Sequence, residues 1–231
     1  MGPEASGMQE RNREEWPVRD PDGLPVRFTS REPRPRTDEF EPVLSGTALR
    51  LEPMRESHVE ALCLVGLDPA VMRYMPDPVR TAGQMADFVR VAIAARAART
   101  AIPFVTVLVE GSSETVVGTT RFMAIDAGNR RMEIGGTWIG RQWQRTRVNT
   151  EAKYLMLRHA FEELECLRVE FKTDSLNGRS RAALLRIGAV HEGVFRNHVI
   201  TSEGRVRHSV YFSITTEEWS SVKVRLEKML V

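Results

Sequence analysis

The chain has 231 residues, of which 42% are hydrophobic and 28% are charged, proportions typical of a globular protein with a sizeable core. A formal net charge of +2 argues against a strong global attraction to nucleic acid or to a membrane surface. No apolar run approaches the roughly 20 residues that a membrane-spanning helix needs, and the N-terminus lacks the apolar centre of a signal peptide. We therefore expect a cytoplasmic protein with no membrane partner.

Residues 1–44 differ in composition from the rest of the chain. They contain 7 of the 12 prolines and carry 10 acidic and 7 basic residues, a net charge of −3 that leaves +5 for the remainder. Proline removes backbone donors, and few apolar residues are present to offset the entropy lost on ordering. We predict an extended or disordered arm over 1–44, able to cross a homodimer, followed by one domain over 45–231.

From about Ser45 onward, strand and helix patterns alternate. Apolar residues at every second position indicate strands, whereas apolar residues three and four positions apart indicate helices. Thr81 is a predicted N-cap, Gly188 a predicted helix stop, and Thr215 with Glu218 a predicted capping box. In chain order, the predicted elements are a strand at Leu49 and Leu51, a helix over 54–67, a loop over 68–80, a helix over 81–98, strands over 104–109, 116–124 and 132–139, a helix from about Asn149, a strand over 168–173, a helix over 179–187, strands over 189–198 and 206–214, and a terminal helix.

A short polar turn over 144–148 connects the strand that ends at Ile139 to the helix that begins near Asn149. The first amides of a helix have no intrahelical partners and point outward, so a strand, turn and helix N-terminus form an anion site. This geometry suits a pyrophosphate, which indicates an enzyme that transfers a group. The cysteines and histidines show no metal-ligand spacing, so we expect no metal cofactor.

The order of these elements, together with several short motifs, resembles the GCN5-related N-acetyltransferase (GNAT) family. The motifs are EIGGTWIG, QRTRVNTEAK, Asn177-x-x-Ser180, LLRIGAVHEGVFRNH, and a final SVYFSI strand followed by EEW. The similarity covers roughly 44–230 and is greatest to the RimJ/RimL-like branch, whose members acetylate ribosomal-protein N-termini. It implies a mixed α/β fold with a mostly antiparallel sheet of about seven strands, splayed in the middle and flanked by helices.

In this family coenzyme A lies in the splay, so the resemblance implies acetyl-CoA, or another acyl-CoA, as cosubstrate. The turn would hold the pyrophosphate, backbone groups of the preceding strand would bond the pantetheine, and Asn177 would contact the pantetheine or a water. Ser180 would lie near the sulfur and protonate the leaving thiolate. The cofactor-binding residues predicted in this way are Trp138, Ile139, Gly140, Gln144, Arg145, Thr146, Arg147, Val148, Asn149, Asn177 and Ser180.

The turn departs from the family pattern Gln/Arg-x-x-Gly-x-Gly/Ala at two positions. Arg147 stands where glycine is expected, and Asn149 stands at the small-residue position. Glycine lets the backbone approach a phosphate without a Cβ. The guanidinium groups of Arg147 and Arg145 would instead pair with phosphate oxygens, or the site would be weakened and activity lost.

An attacking amine must be neutral, and a carboxylate acting directly or through a water takes its proton. Glu133 is our first candidate base, because it lies on the strand beside the expected thioester, and Asp174 is a weaker one. The alternative is that Glu133 is a surface carboxylate paired with Arg131 or Arg121. Asp174 would then hold a turn. Asn177 or Ser180 would likewise only cap a helix.

Three further features complete the predicted site. The glycine pair at 135–136 indicates a bulge in the strand. The loop residues Met72, Tyr74 and Met75 are candidates to line the acceptor pocket. His198 and His208 are candidates to face each other across a hairpin.

The sequence predicts an N-acetyltransferase that moves an acetyl group from acetyl-CoA to a primary amine, either a protein N-terminus or a small molecule, by direct transfer in a ternary complex. Glu133 and Ser180 are the predicted catalytic residues. The alternative is a non-catalytic protein of the same fold that binds acyl-CoA or a partner, because of Arg147 and Asn149. Nucleic-acid binding through Arg141, Arg145 and Arg147 is a weaker hypothesis, because the net charge of the chain is small.

Overall fold

The computed structural model describes residues 19–26, 28–29 and 41–231. The chain divides into two compact units, Met1–Glu32 and Pro33–Val231. Within the described part of the first unit, Arg19 and Pro25 form an isolated antiparallel bridge. Most of the predicted arm lies outside the described residues, and the remainder of this section concerns the second unit.

The second unit contains eight strands and six α-helices in its described part. The strands are β1 (Leu44–Ser45), β2 (Leu49–Pro53), β3 (Ala101–Glu110), β4 (Ser113–Asp126), β5 (Arg131–Ile139), β6 (Arg168–Asp174), β7 (Val190–Ile200) and β8 (Val206–Thr215). The helices are α1 (Val59–Gly66), α2 (Pro69–Met72), α3 (Ala82–Ala97), α4 (Val148–Arg158), α5 (Gly178–Ile187) and α6 (Thr216–Leu230). Single turns of 3₁₀-helix lie at Glu56–His58 and Arg141–Trp143, and α4 continues as π-helix over His159–Glu163.

The strands form one open sheet in the order β1-β2-β3-β4-β5-β6-β8-β7. Every neighbouring pair is antiparallel except β5 and β6, which are parallel. This arrangement confirms the predicted mixed, mostly antiparallel sheet, with eight strands instead of about seven. The additional strand is β1, a two-residue strand that pairs with β2, too short to show an alternating pattern.

Two predicted boundaries near the start of the domain were wrong. The helix predicted over 54–67 is a 3₁₀ turn followed by α1, because the Arg55 amide bonds His58 Nδ1 and starts a separate turn. The loop predicted over 68–80 contains α2, in which the Asp68 carboxylate accepts from the amide of Ala70 and Pro69 occupies the first turn. Both features depend on local capping contacts that override the apolar pattern.

The predicted helix ends are confirmed. Thr81 accepts from the amide of Gln84 at the start of α3. Gly188 ends α5 with φ +103°, a left-handed conformation that glycine adopts without steric cost. Thr215 and Glu218 form the capping box of α6.

Helices cover both faces of the sheet. On one face, α4 and α6 pack over a core that includes Phe122, Leu155 and Phe212. On the other, α1 and α3 pack over a second core that includes Leu62, Val89 and Trp138. Among the described residues, no helix is both long and apolar enough to cross a membrane.

Candidate active site

The sheet opens between its two parallel strands. β5 and β6 pair only at Arg131–Arg168, Met132–Val169 and Glu133–Glu170. Beyond Glu133 the two strands part, while β5 continues to Ile139 and β6 to Asp174. The opening is therefore bordered by one strand edge on each side, with Glu133 at its closed end.

β5 bulges within the opening, at the predicted glycine pair. Its register with β4 shifts between the pairs Thr119–Trp138 and Arg121–Gly135. Gly136 has φ +55°, and a Cβ there would lie 2.6 Å from Arg121 Nε. Glycine suits this position because it adopts the left-handed backbone without steric cost and leaves room for the close approach of the arginine.

Glu133 is buried, with 4% of its surface exposed. Its Oε2 lies 3.0 Å from Lys172 Nζ on β6. The alternative of a surface carboxylate paired with Arg131 or Arg121 was therefore wrong, because Arg131 instead bridges Asp126 and Glu170. The buried carboxylate of Glu133 therefore has a cationic partner on the other side of the opening.

Lys153 reaches the opening from the side of α4, and sequence reasoning missed it. Its Nζ donates to Thr137 Oγ1 of β5 at 2.9 Å and lies 5.9 Å from the Phe171 ring centroid of β6. Burial lowers the pKa of this amine from 10.5 to about 7, and Glu133 partly opposes the change. The available signal was compositional, since Lys153 is one of only 4 lysines beside 29 arginines.

The predicted pyrophosphate turn lies at the open end of β5. Gln144 Nε2 donates to the carbonyl of Ile139, and the amide of Gly140 donates to Val117. These two backbone groups of the strand end are thus engaged within the protein. Thr146 Oγ1 donates to the carbonyl of Trp143 and accepts from the amide of Val148, which fixes the entry into α4.

The two arginines of the turn are placed differently. Arg145 is exposed and has φ +65°, a left-handed conformation unusual for a residue with a Cβ. Arg147 is the N-cap of α4 with φ −69°, and its guanidinium donates to the carbonyl of Leu230 at the end of α6. The backbone at Arg147 therefore does not require glycine, although the family pattern has one there. Asn149 follows in the first turn of α4 and is half-buried.

Asn177 and Ser180 begin α5 on the far side of the opening. Asn177 Oδ1 accepts from the amide of Ser180 at 3.0 Å, so Asn177 is the N-cap of this helix. Within the described residues, neither the Asn177 side-chain nitrogen nor the Ser180 hydroxyl makes a hydrogen bond with the protein. Capping and a contact to a bound molecule are therefore compatible at this position.

Asp174 holds the turn between β6 and α5. Its carboxylate accepts from the amide of Leu176 and pairs with Arg205. The Asp174 side chain is fully buried, and Arg207 Nε lies 3.9 Å away. These contacts favour the structural alternative for Asp174 over a role as base.

The remaining predicted residues lie on the hairpin of β7 and β8 and on the α2 loop. His198 bonds Ser209 Oγ at 3.0 Å, whereas His208 accepts from the amide of Asn197, so the two histidines have separate partners. A small cavity of about 40 Å³ is lined by the loop residues Met72 and Met75 together with the hairpin turn. No group of three metal-ligating side chains occurs in the described ranges.

An open mixed sheet, parted at its parallel pair and followed by a helix N-terminus, defines a class of cofactor-dependent transferases. The chain belongs to the GNAT acetyltransferase family, whose domain model, described as "Acetyltransferase (GNAT) domain", matches residues 48–190. This confirms the family expected from the sequence motifs.

Relatives of the chain include two Bacillus proteins. It is 35% identical over 99 residues to the "Putative ribosomal N-acetyltransferase YdaF" of Bacillus subtilis, a match covering 43% of this chain and 53% of that protein. It is 27% identical over 173 residues to the "Uncharacterized N-acetyltransferase p20" of Bacillus licheniformis, covering 74% and 95% respectively. The chain thus spans about half the length of YdaF, whose name is consistent with the expected RimJ/RimL-like branch.

Solved structures show the same fold. A GCN5-related N-acetyltransferase from Brucella melitensis aligns with a TM-score of 0.77 at 27% identity, covering 86% of this chain and 89% of that chain. RimJ of Mycobacterium smegmatis, solved in complex with CoA-disulfide, aligns with a TM-score of 0.67 at 22% identity, covering 81% and 91%. At 22% identity, the alignment with RimJ shows only that the two chains share a fold.

Proposed function

We propose that the protein transfers an acetyl group from acetyl-CoA to a primary amine by direct attack in a ternary complex. The observation that carries this proposal is the opening between β5 and β6, which has the buried carboxylate of Glu133 at its closed end and the N-terminus of α4 beyond its open end. Membership of the GNAT family supports acyl-CoA as the cosubstrate.

The cosubstrate would lie along the opening. The amides that begin α4 and the exposed side chain of Arg145 would hold the pyrophosphate. The strand edge at Trp138 and Ile139 would bond the pantetheine through backbone groups other than the Ile139 carbonyl, and Gly140, whose amide bonds Val117, would lie beside it. Asn177 would contact the pantetheine from α5. In this proposal, the binding residues predicted from the sequence contact one cosubstrate.

The chemistry needs one proton acceptor and one donor. The amine nitrogen attacks the thioester carbonyl, and its proton passes to Glu133 through a water while the C–N bond forms. The C–S bond then breaks, and the thiolate takes a proton from Ser180, which regains one from solvent while Glu133 releases to solvent the proton it took from the amine. Lys172, 3.0 Å from the Glu133 carboxylate, would hold it in place for this role.

Glu133→Gln tests the proposal. We expect turnover to fall about 10²- to 10⁴-fold, the usual contribution of a general base, while the affinity for acetyl-CoA changes little. Affinity is measured by isothermal titration with acetyl-CoA, and turnover by release of free CoA with a panel of amines and N-terminal peptides.

Glu170→Gln is the matched control. Glu170 pairs with Glu133 in register across β5 and β6, but its carboxylate bonds Arg131 and Arg168. Equal losses in the two variants, or an unchanged rate in Glu133→Gln, would remove Glu133 from the role of base.

The alternative function is acyl-CoA binding without transfer. Arg147 in place of the family glycine favours it, because its guanidinium is held by the end of α6 and its Cβ occupies space near the expected phosphate. Tight binding of acetyl-CoA with no CoA release for any amine would select this alternative. A homodimer remains a prediction, tested by light scattering of the full chain.

A further inference from the structure

Arg121 lies on β4, next to the bulge of β5. It pairs in register with Gly135, and its side chain crosses the face of Gly136. On its other side the Phe88 ring of α3 lies 5.1 Å from the guanidinium carbon. The side chain is thus packed between α3 and the part of β5 that borders the opening.

This guanidinium has no counter-charge. Its Nε is enclosed and has no hydrogen-bond partner, and the guanidinium forms no ion pair with any residue in the described part of the chain. Burial lowers the pKa of Arg121, because a desolvated cation is destabilised unless it is paired. Glu133, a carboxylate on the neighbouring strand β5, is paired with Lys172.

Arg207 on β8 is an arginine of the same sheet with which Arg121 can be compared. Its Nε is also enclosed without a hydrogen bond, but it lies 3.9 Å from the buried carboxylate of Asp174. Arg207 is therefore compensated within the protein, whereas Arg121 is not. Arg121 is only partly buried and just its Nε is enclosed, so the terminal nitrogens of the guanidinium stay accessible to a ligand. An anion supplied by a ligand would give this cation the counter-charge that the described residues do not provide.

We propose that Arg121 is a subsite for a carboxylate carried by a substrate of the reaction. The proposal rests on the function proposed above, in which the cosubstrate lies along the opening that the bulge beside Arg121 borders. The planar guanidinium fork matches a carboxylate with two parallel hydrogen bonds. The carboxylate belongs either to a dicarboxylic acyl group, as in succinyl-CoA, or to an amine acceptor of the amino-acid type.

The donor arm of the test compares succinyl-CoA with acetyl-CoA by isothermal titration of the full chain and of Arg121→Met. If the carboxylate is on the acyl group, Arg121→Met weakens succinyl-CoA binding about 10- to 100-fold, the range for a charged hydrogen bond, and leaves acetyl-CoA binding unchanged. Arg121→Lys, which keeps the charge without the fork, gives an intermediate loss.

The acceptor arm titrates amino acids and their amides into the protein saturated with CoA. If the carboxylate is on the acceptor, the wild type prefers each acid over its amide, and Arg121→Met removes the preference. Arg131→Met is the charge-matched control, because Arg131 is half-exposed and already bridges Asp126 and Glu170. Arg131→Met should therefore keep the carboxylate preference that the wild type shows in either arm of the test.

Thermal unfolding separates this role from a structural one. Without ligand, Arg121→Met should have a melting temperature equal to or above that of the wild type, since an uncompensated cation is replaced by an apolar side chain against Phe88. A lower melting temperature with both preferences unchanged would overturn the subsite.

Two further outcomes separate failure of the subsite from failure of the proposed function. Binding of both donors with no carboxylate preference in either arm overturns the subsite and leaves the transferase proposal standing. Binding of neither acetyl-CoA nor succinyl-CoA overturns both.

Discussion

At the level of single residues, the candidate site is defined by buried charges that lie on the two sides of the opening. Glu133 is paired with Lys172, whereas the Lys153 amine has only the hydroxyl of Thr137 as a polar contact in the described part of the chain. The pKa of this amine is lowered to about 7 by burial. Lys153 therefore makes the stability of the domain depend on pH.

Lys153→Met should reveal this dependence. Between pH 7 and 10.5 the unfolded chain binds the proton that the folded chain has lost, so wild-type stability rises with pH across this window. The variant lacks that rise. The free energy of unfolding of Lys153→Met minus that of the wild type should fall by about 3 kcal/mol between about pH 6 and about pH 9. Urea unfolding at each pH measures this difference.

The exposed Lys223, which pairs with Glu162, provides the control for this experiment. Lys223→Met removes the same charge at a solvated position, where the hydrogen bond to Glu162 raises the pKa of the amine. A constant difference between Lys153→Met and wild type across the pH range would contradict the depressed pKa of Lys153.

At the level of elements, the turn between β5 and α4 shows where the family glycine matters. Backbone conformation does not demand glycine at Arg147, where φ is −69°. The left-handed residue is Arg145, two positions earlier, with φ +65°. The departure at Arg147 therefore concerns the space and charge at the proposed phosphate site, and the left-handed position of the turn carries an exposed arginine instead.

Comparing Arg145→Gly with Arg145→Ala separates conformation from charge. Glycine accepts the left-handed backbone, so the glycine variant should be the more stable of the two by up to about 1 kcal/mol in urea unfolding. Both variants lose the guanidinium, so both should bind acetyl-CoA about 10-fold more weakly if Arg145 pairs with phosphate. Undiminished affinity in both variants would show that the turn binds through its backbone alone.

At the level of the whole domain, Glu151 connects α4, the helix of the candidate site, to the first strands of the sheet by hydrogen bonds. It is buried on α4, and its Oε1 accepts from the amides of Thr47 at 2.6 Å and Ala48 at 3.0 Å, in the turn between β1 and β2. One carboxylate thus joins segments 104 residues apart in the chain. The position of α4 depends on this edge of the sheet.

Glu151→Ala should destabilise the domain by about 1–3 kcal/mol, because two amides lose their acceptor and a buried side chain is removed. Glu151→Gln keeps an acceptor oxygen in place and should cost less. Urea unfolding measures both, and equal midpoints for Glu151→Ala and the wild type would show that water replaces the carboxylate without loss.

Much of this domain was predictable because its signals are local. The caps at Thr81 and Thr215, the stop at Gly188 and the bulge at the glycine pair each depend on residues within one turn or one strand. The two-residue strand β1 and the division of the 54–67 segment were missed because they depend on single hydrogen bonds that leave no periodic pattern.

For the site, motif order placed Glu133, Asn177 and Ser180 around one opening, since strand ends and helix starts can be read from the sequence. The partner of Glu133 was predicted wrongly. Lys172 lies on another strand, and only the parallel pairing of β5 with β6 brings the two together.

Sequence periodicity and capping residues thus predicted the order of strands and helices, and the resemblance of several motifs to the GNAT family predicted the fold, the family and the strand that carries the candidate base. The burial of Lys153 and the uncompensated charge of Arg121 followed only from the folded chain, because charge pairing and desolvation depend on distances between segments far apart in sequence. A charged side chain looks the same in a sequence whether it faces water or a bulge covered by a helix.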